Sequence, residues 1–216
     1  MASPQYQYIL YEVKNKLAKI TLNRPRKKNA IKLDMMAEIT DALNQASKDD
    51  NVVVCLLTGA GDFYCSGNDL TNFQDQQDRG GKVLFVFHRF PKQLIAAVNG
   101  PAVGIAVTTL GLVDVVYASD KATLRIYTYR TVCRGLFILH LLQDHGSILG
   151  IIDRRVNEYA KLPPKTLMAA KKLCRDVDRA RLHQAVTSEL KTLNVLWVSE
   201  ECMQGVMNFL MRKSKL

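Results

Sequence analysis

The stretch LIAAVNGPAVGIAVTTLGLVDVVYAS, residues 94–119, decides the fold of this chain. It predicts a strand over 94–100, a glycine-containing turn, an apolar helix over about 103–112 and a second strand over 113–119. Upstream, the continuous apolar run at 51–59 is typical of a strand that is buried on both faces of a sheet. Strands that alternate with helices in this order predict right-handed crossovers and a largely parallel sheet. The predicted fold class is therefore α/β.

The flanking segments extend this pattern at both ends. Two short β-rich runs at 6–13 and 17–23 predict a hairpin. Apolar residues at three- and four-residue spacing predict an amphipathic helix over 33–47, and a shorter helix is predicted around 82–90. From residue 163 onward, apolar and basic residues alternate at helical spacing, which predicts three C-terminal helices.

The net charge of +10 is concentrated in the second half of the 216-residue chain. Residues 121–216 hold 17 lysines and arginines against 8 aspartates and glutamates. Such a surplus suits nucleic acid, an anionic membrane surface or a phosphate-bearing cofactor, although a solvated lysine-rich helical surface explains it equally well. The sequence has no repeated RGG tract and no aromatic platform, so we do not expect nucleic-acid binding.

Cysteine usage and the chain ends indicate the compartment. The five cysteines are scattered without a C-x-x-C pair and the four histidines are dispersed, so we expect a reducing compartment and no metal site. The start of the sequence lacks a secretory pattern, and Asp114 interrupts the longest apolar stretch, so no membrane span is expected. The final residues Ser214, Lys215 and Leu216 form a tripeptide that the peroxisomal import receptor reads. We therefore expect a protein of the peroxisomal matrix.

Two glycine-containing turns each follow a predicted buried strand. The residues of the first turn are Ser66, Gly67, Asn68, Asp69 and Leu70, and the second turn runs over 99–105 and includes Gly104 and Ile105. Glycine lets the backbone approach a ligand, and the second turn leads into a helix whose N-terminal N–H groups carry partial positive charge. Two N–H groups that converge on one point would form an oxyanion hole. Spacing alone leaves open the alternative of two ordinary crossover turns.

Four motifs occur in a fixed order along the chain. They are NRPRKKNAI (23–31), FYCSGNDL (63–70), AVNGPAVGIAV (97–107) and DVVYASDKAT (114–123). In this order and at these separations, they resemble the enoyl-CoA hydratase/isomerase (crotonase) superfamily. With the late AKLPP and the terminal SKL, the chain is most similar to the peroxisomal Δ3,Δ2-enoyl-CoA isomerases. The resemblance implies a crotonase-type ββα superhelix with a C-terminal helical region.

The resemblance also implies roles for individual residues. The oxyanion-hole N–H groups would belong to Asn68 and Ile105 and would point at the thioester carbonyl of a fatty enoyl-CoA. The implied substrate-binding residues are Ser66, Gly67, Asn68, Asp69, Leu70 and Gly104, and the implied CoA-binding residues are Lys27, Lys28, Asn29 and Ala30. A solvated basic loop is the alternative for this last group. Coenzyme A is part of the substrate, so no separate cofactor is expected, and the resemblance implies a homotrimer.

The general base of the family has no counterpart in this sequence. In the family it is a glutamate in a Pro-Glu-Gly-like turn that follows the stretch matching 118–123, whereas no glutamate occurs here between that stretch and Glu158. The nearest carboxylates, Asp144 and Asp153, lie in no matching motif. The catalytic base is therefore unknown. A carboxylate in a dry pocket would suit the task because burial raises its pKa.

The tract around 124–157 has two interpretations. For residues 129–143, a set of synonymous codons exists that, read one nucleotide later, gives a peptide similar to the family's catalytic stretch, and its glutamate would straddle the codons of Arg134 and Gly135. Alternatively, the tract is a divergent but genuine helix with LFILHLL (136–142) as a core segment. In either case, we expect the family's strand and helix here to be missing or replaced. The predicted organisation is a ββα core over 1–123, the aberrant segment over 124–157, C-terminal helices over 158–213 and the targeting tripeptide over 214–216.

Two functions follow from these observations. The first is an active Δ3,Δ2-enoyl-CoA isomerase of fatty-acid β-oxidation that uses an unrecognised carboxylate as its base. The second is an acyl-CoA-binding protein without turnover, acting alone or as the partner of an intact relative in a mixed trimer.

Overall fold

The computed structural model describes residues 5–73, 81–125, 138–142 and 148–213. Its strands are β1 (Ile9–Lys14), β2 (Leu17–Leu22), β3 (Val54–Gly59), β4 (Gln93–Val98), β5 (Ala102–Val103), β6 (Val115–Ser119), β7 (Leu124–Arg125) and β8 (Ile138–Leu142). Its helices are α1 (Leu33–Lys48), α2 (Gly81–Arg89), α3 (Ile105–Leu110), α4 (Ile148–Ala160), α5 (Pro164–Asp176), α6 (Arg179–Trp197) and α7 (Glu200–Lys213). Short 3₁₀ turns lie at Pro25–Lys27 and Leu70–Phe73.

Six of the strands form one sheet in the order β1-β2-β3-β4-β6-β8. The first two strands are antiparallel, and every other pair in this sheet is parallel, which confirms the predicted α/β class. A two-residue turn at Asn15 and Lys16 joins β1 to β2, with φ of 51° and 64°. Two positive φ values in succession suit the right-handed twist of the flanking strands, so the predicted hairpin is also confirmed.

Apolar layers cover both faces of this sheet. Every residue of β3 is buried, as the continuous apolar run predicts. On one face, α1 buries Met36, Ile39 and Leu43 against the sheet. On the opposite face, α4 contributes Ile152, Val156 and Ala160 to a second apolar cluster. The carboxyl ends of β3 and β4 are thereby held at one edge of a rigid core, where both glycine-containing turns begin.

The tract after residue 124 differs from the expectation of a lost layer. Residues 138–142 form β8, which pairs in parallel with β6, and α4 follows from Ile148. A strand and a helix therefore do occupy this part of the fold. The interpretation of LFILHLL as a helix is wrong for 138–142, because the open edge of β6 offers unpaired N–H and C=O groups to this apolar run. Residues 126–137, with the predicted glutamate site at Arg134 and Gly135, lie outside the described residues.

The three predicted C-terminal helices are confirmed as α5, α6 and α7. Helix α5 is connected to the sheet by Asp114, whose carboxylate accepts hydrogen bonds from Lys171 Nζ at 2.7 Å and Arg175 Nη2 at 3.1 Å. The same carboxylate accepts the Leu94 N–H at 2.8 Å. The acidic residue that interrupts an apolar stretch in the sequence is thus the attachment point of a helix. Within the described residues, no helix has both the length and the apolar character to cross a bilayer.

Candidate functional site

The two glycine-containing turns lie side by side. A short parallel bridge pairs Cys65 with Ala102: the Cys65 N–H donates to Pro101 O at 3.2 Å, and the Val103 N–H donates to Cys65 O at 3.0 Å. Gly67 has a φ of 92°, and a Cβ on this residue would lie 2.9 Å from Val103 O. Only glycine permits both the positive φ and this close approach. The sequence predicted the two turns but not this contact between them.

Hydrogen bonds with Ile31 fix the first turn from its other side. The Ile31 N–H donates to Gly67 O, and the Asp69 N–H donates to Ile31 O, both at 2.9 Å. The Asp69 carboxylate accepts hydrogen bonds from Thr71 and Arg24, and these lower the pKa of Asp69 below its usual value although its burial acts in the opposite direction. Asp69 is therefore an ionised residue that holds the turn in place. The predicted positions Ser66 and Leu70 flank this rigid segment.

The backbone N–H groups of Asn68 and Ile105 have no acceptor within the described part of the chain. Each of these residues lies three positions after a partner in the Cys65–Ala102 bridge. On either side of Asn68, the Gly67 N–H donates to Cys65 Sγ at 3.4 Å and the Asp69 N–H donates to Ile31 O, while the Gly104 N–H before Ile105 donates to Arg125 O at 2.9 Å. Fixed N–H donors without a protein partner are the requirement for an oxyanion hole. The two donors that the resemblance implies are thus among the N–H groups of these turns that have no acceptor in the described residues.

The predicted CoA-binding loop is joined to the first turn, because the Ser66 N–H donates to Lys28 O at 2.9 Å. The Lys27 and Lys28 side chains are exposed, and Lys28 Nζ lies 4.9 Å from the centre of the Phe63 ring. Asn29 differs from the expectation, because its side chain is fully buried. Its amide donates to Ala60 O at 2.9 Å and to Phe63 O at 2.7 Å.

The amide of Asn29 therefore supports the loop from inside. The lysines, by contrast, present their charges to solvent. Ala30 contributes its carbonyl to the same scaffold, where it accepts a hydrogen bond from Arg24. Of the four predicted CoA-binding residues, only the two lysines place a cationic group at the surface.

A small apolar cavity of about 20 Å³ lies beside the turns. Ile31, Cys65 and Ile105 line it, together with side chains of β2, β3, α1, α2 and α3 that include Leu22, Leu57, Met36, Phe87 and Thr109. Burial raises the pKa of the Cys65 thiol to about 12, even though a hydrogen bond with Gly67 acts in the opposite direction. The cavity therefore suits an apolar group rather than an ion. The apolar spacing of α1 predicted core residues but gave no signal of a cavity.

No carboxylate lines this cavity among the residues that the structure describes. Strand β7 pairs with β5, so the chain leaves the described region at Arg125 directly beside the second turn. Asp144 lies outside the described residues, and the description of Asp153 does not extend to its side chain. Groups of three or more histidine, cysteine, aspartate or glutamate residues that could hold a metal ion are absent from the described ranges.

Known proteins share both sequence motifs and the fold with this chain. The family model for enoyl-CoA hydratase/isomerase matches residues 12–136, more than half of the chain. The chain belongs to this family. The family's fold also extends over nearly the whole chain: an enoyl-CoA hydratase/isomerase from Pseudoalteromonas atlantica superposes with a TM-score of 0.84 at 22% identity, covering 95% of this chain and 98% of that one. Pseudomonas aeruginosa OdaA gives a TM-score of 0.84 at 24% identity, covering 94% and 98%.

Several curated relatives within the family are enoyl-CoA delta isomerases. Human enoyl-CoA delta isomerase 2 is 38% identical over 260 residues, covering 99% of this chain and 66% of the relative. The rat protein of the same name is 40% identical, with coverage of 96% and 64%. Mouse enoyl-CoA delta isomerase 3, peroxisomal, is 35% identical, with coverage of 96% and 79%. The chain thus spans slightly less than two thirds of the isomerase 2 relatives.

The alignment with the human relative is longer than this chain. Its 260 aligned positions exceed the 216 residues of this chain, so the human relative carries residues that have no counterpart here. This agrees with the absence of the family's glutamate-bearing turn after the motif at 114–123.

Proposed function

We propose that this protein binds fatty enoyl-CoA thioesters at the paired turns, as a Δ3,Δ2-enoyl-CoA isomerase-like protein of fatty-acid β-oxidation. The observation that carries the proposal is the pair of unpaired N–H groups at Asn68 and Ile105 beside an apolar cavity. The names of the curated relatives supply the substrate class. The substrate-binding roles of Ser66, Gly67, Asp69, Leu70 and Gly104 follow, because these residues form the two turns.

The chemistry that this geometry supports is the acidification of a proton beside a carbonyl. The thioester oxygen would accept both N–H groups, and negative charge would move onto that oxygen as the neighbouring C–H loses its proton. Donors fixed in advance stabilise this charge without reorganisation, and one such donor contributes about 3 kcal/mol to lowering the barrier. The acyl chain would leave the thioester beside Ile105, whose side chain also lines the apolar cavity.

Isomerisation further requires a base that removes this proton and returns it two carbons away. The second candidate function, acyl-CoA binding without turnover, is favoured by the lack of a carboxylate among the described cavity-lining residues. In that case the chain would act alone or as the inactive partner in a mixed trimer. The two candidates share the binding step and differ only in the proton transfer.

The proposal also includes binding of the CoA nucleotide, assembly into a trimer and import into the peroxisome. The exposed Lys27 and Lys28 would bind the phosphates of the CoA nucleotide, while Asn29 and Ala30 shape the loop. We further propose a homotrimer, supported by the exposed apolar residues of α5, α6 and α7. The import receptor would read Ser214, Lys215 and Leu216, which lie outside the described residues, and would direct the protein to the peroxisomal matrix.

One substitution tests the oxyanion hole with little change to the fold. Ile105 is the first residue of α3, where proline is well tolerated, so Ile105→Pro removes one N–H donor and keeps the helix. Ile105→Ala is the matched control, because it also removes the apolar side chain but retains the donor. We expect Ile105→Pro to bind a saturated acyl-CoA about tenfold more weakly than Ile105→Ala in calorimetric titration. Equal affinities of the two variants would contradict the proposed site.

A turnover assay separates the two candidate functions. The wild-type chain is mixed with a 3-enoyl-CoA, and formation of the conjugated 2-enoyl-CoA is followed by absorbance. Binding without turnover would support the second candidate, whereas a rate similar to that of an intact isomerase would overturn it. Sequencing the coding DNA across residues 120–160 tests the frame-shift interpretation directly, because codons incompatible with the alternative peptide exclude it.

A further inference from the structure

An open groove of about 540 Å³ lies where the end of α5 meets the start of α6. Its lining residues are Lys172 and Asp176 of α5 and Arg179, Ala180 and His183 of α6. We call this surface the basic groove. Its volume is far greater than the roughly 30 Å³ that one water molecule occupies in the liquid, so it has room for a solvated ion. None of its residues belongs to the glycine-containing turns or to the lysine loop beside them, so the proposed function does not account for it.

Cations outnumber their carboxylate partners at this junction. Two carboxylates each pair with two cations: Asp176 with Lys172 and Arg179, and Asp114 with Lys171 and Arg175. Four cations therefore share two carboxylates, which leaves a surplus of two positive charges. In the groove itself, the side chains of Lys172 and Arg179 are 71% and 48% exposed, so both can contact a ligand from solvent while they remain beside Asp176.

The buried imidazole of His88 lies in the field of this surplus. Its residue is only 6% exposed, and its Nε2 has no hydrogen-bond partner in the described part of the chain. Burial is the largest cause of its lowered pKa. The four charges that act on it most strongly are all positive and belong to Arg179, Arg175, His183 and Arg89. The carboxylates of the junction therefore do not neutralise the cations around His88.

The start of α6 adds hydrogen-bond donors to the groove. The first N–H groups of a helix have no carbonyl partner within that helix, and the N-cap residue Asp178 makes no capping hydrogen bond with its side chain. Arg179 and Ala180 are the first two residues of this 19-residue helix, and both line the groove. A guanidinium group binds a tetrahedral oxyanion through two parallel hydrogen bonds, and helix N-terminal N–H groups favour the same kind of ligand.

We propose that the basic groove binds a phosphate group, held by Arg179, Lys172 and the first N–H groups of α6. The phosphate is either a free ion or part of a nucleotide such as that of coenzyme A. A phosphate dianion suits the groove better than a monovalent anion, because it matches the surplus of two positive charges. By contacting α5 and α6 at once, it would hold the two helices together. The inference stands apart from the proposed function, because it requires neither the turns nor an acyl chain.

Calorimetric titration of the full-length chain with sodium phosphate, at an ionic strength kept constant with sodium chloride, tests this inference. We expect saturable binding to the wild-type chain and about tenfold weaker binding to Arg179→Gln, which loses a charged donor. Lys191→Gln is the matched control, because it removes one positive charge from an exposed position further along α6 and should leave the affinity unchanged. Asp178→Asn keeps a favourable N-cap residue but removes a negative charge beside the groove, so it should bind phosphate more tightly.

Coenzyme A as a second probe distinguishes the two sources of the phosphate. If Arg179→Gln weakens the binding of both probes, the groove takes a nucleotide phosphate, whereas an effect on inorganic phosphate alone indicates a free ion. Both results support the inference. Equal phosphate affinities of Arg179→Gln and Lys191→Gln would overturn it, and so would the absence of saturable phosphate binding to the wild-type chain.

The titration of His88, followed by NMR, provides a second readout. Its ring resonance is identified by its loss in His88→Gln. A bound phosphate should raise the pKa of His88, because the dianion offsets the positive charges that act on the imidazole. The rise should exceed that caused by sodium chloride at the same ionic strength, and Arg179→Gln should reduce it. Equal effects of phosphate and chloride would show screening alone and would overturn the inference.

Discussion

The six-stranded core and the helices α5–α7 bury their apolar residues to very different extents. In the core, Leu56 and Ile95 are completely buried, whereas Leu173 and Val177 in the α5 region are 75% and 84% exposed. Met207 in α7 is 56% exposed. The core is therefore complete within one chain. The C-terminal helices present an apolar surface that a single chain does not cover, and such a surface commonly marks an interface.

The junction between these regions combines a polar cluster with a small apolar contact, in which Val186 of α6 joins the core and Leu167 of α5 packs against it. Asp114 accepts hydrogen bonds from Lys171 and Arg175 of α5, while His88 of α2 is buried near positive charges of α5 and α6. Regions with few buried contacts open at a lower free energy than the core. We therefore expect the C-terminal helices to detach before the sheet unfolds, and the following predictions test this difference.

The largest effect is expected for Asp114→Ala. The change leaves Lys171, whose side chain is 8% exposed, without its carboxylate partner, and it also removes the acceptor of the Leu94 N–H. Breaking a buried ion pair by removing one partner costs about 3–5 kcal/mol. Urea denaturation should show this loss. Asp176→Ala is the control, because its pairs with Lys172 and Arg179 are on the surface, and it should unfold at nearly the same urea concentration as the wild-type chain.

The second prediction concerns the turns of the core. Gly67→Ala places a Cβ 2.9 Å from Val103 O at a φ of 92°, so we expect a loss of about 1–3 kcal/mol in stability. The displaced turn should also lose its affinity for acyl-CoA in calorimetric titration. Gly205→Ala in α7 is the matched control, because nothing lies within 4 Å of the added Cβ. This control should gain about 0.5–1 kcal/mol, and unchanged ligand affinity of Gly67→Ala would contradict the proposed site.

The elements of the core differ in how far the sequence alone could predict them. The hairpin, α1, β3, β4 and β6 could be predicted because each has a local apolar period and recognisable turn residues. Strand β8 could not, because an apolar run as short as LFILHLL suits a helix or a strand, and only the open edge of β6 decides between them.

The candidate site also combines features that have a local sequence pattern with features that depend on distant contacts. The four motifs identified both glycine-containing turns, and the structure brings the two turns together at the Cys65–Ala102 bridge. The Ile31 bridge and the cavity depend on contacts between distant residues, which no local pattern encodes. Asn29 illustrates the limit of a motif: it names the position but not the direction of the side chain, which faces the protein interior.

The third prediction uses pH to probe the junction. Burial lowers the pKa of His88, and the charges of Arg179, Arg175, His183 and Arg89 add to this effect. The folded protein therefore binds a proton at His88 less readily than the unfolded chain, whose histidine titrates near its ordinary value. Stability should fall as the pH drops below about 6.5 and until the lowered folded pKa is reached, by at most about 1.4 kcal/mol per pH unit.

His88→Gln provides the comparison for this pH dependence. The variant removes the titrating group, so its stability between pH 5 and 7 should vary less than that of the wild-type chain in urea denaturation. Parallel profiles for the two proteins would contradict the assignment to His88. A smaller slope in the variant would place part of the acid sensitivity at the contact between α2 and the C-terminal helices.

The smallest effect on the stability of the single chain is expected for Met207→Glu, although this change should have a large effect on assembly. Met207 is 56% exposed, so a charge at this position should alter the free energy of unfolding of the monomer by no more than about 0.5 kcal/mol. A charge in the apolar interface of the proposed trimer would be costly without a partner. Size-exclusion chromatography with light scattering should therefore show a shift from trimer to monomer.

Lys172→Glu in α5 is the control for this prediction. Lys172 is already in a surface ion pair, so its replacement should leave assembly unchanged. A trimer that persists in Met207→Glu would show that the exposed surface of α7 lies outside the interface, and the contrast between the core and the C-terminal helices would then need another explanation.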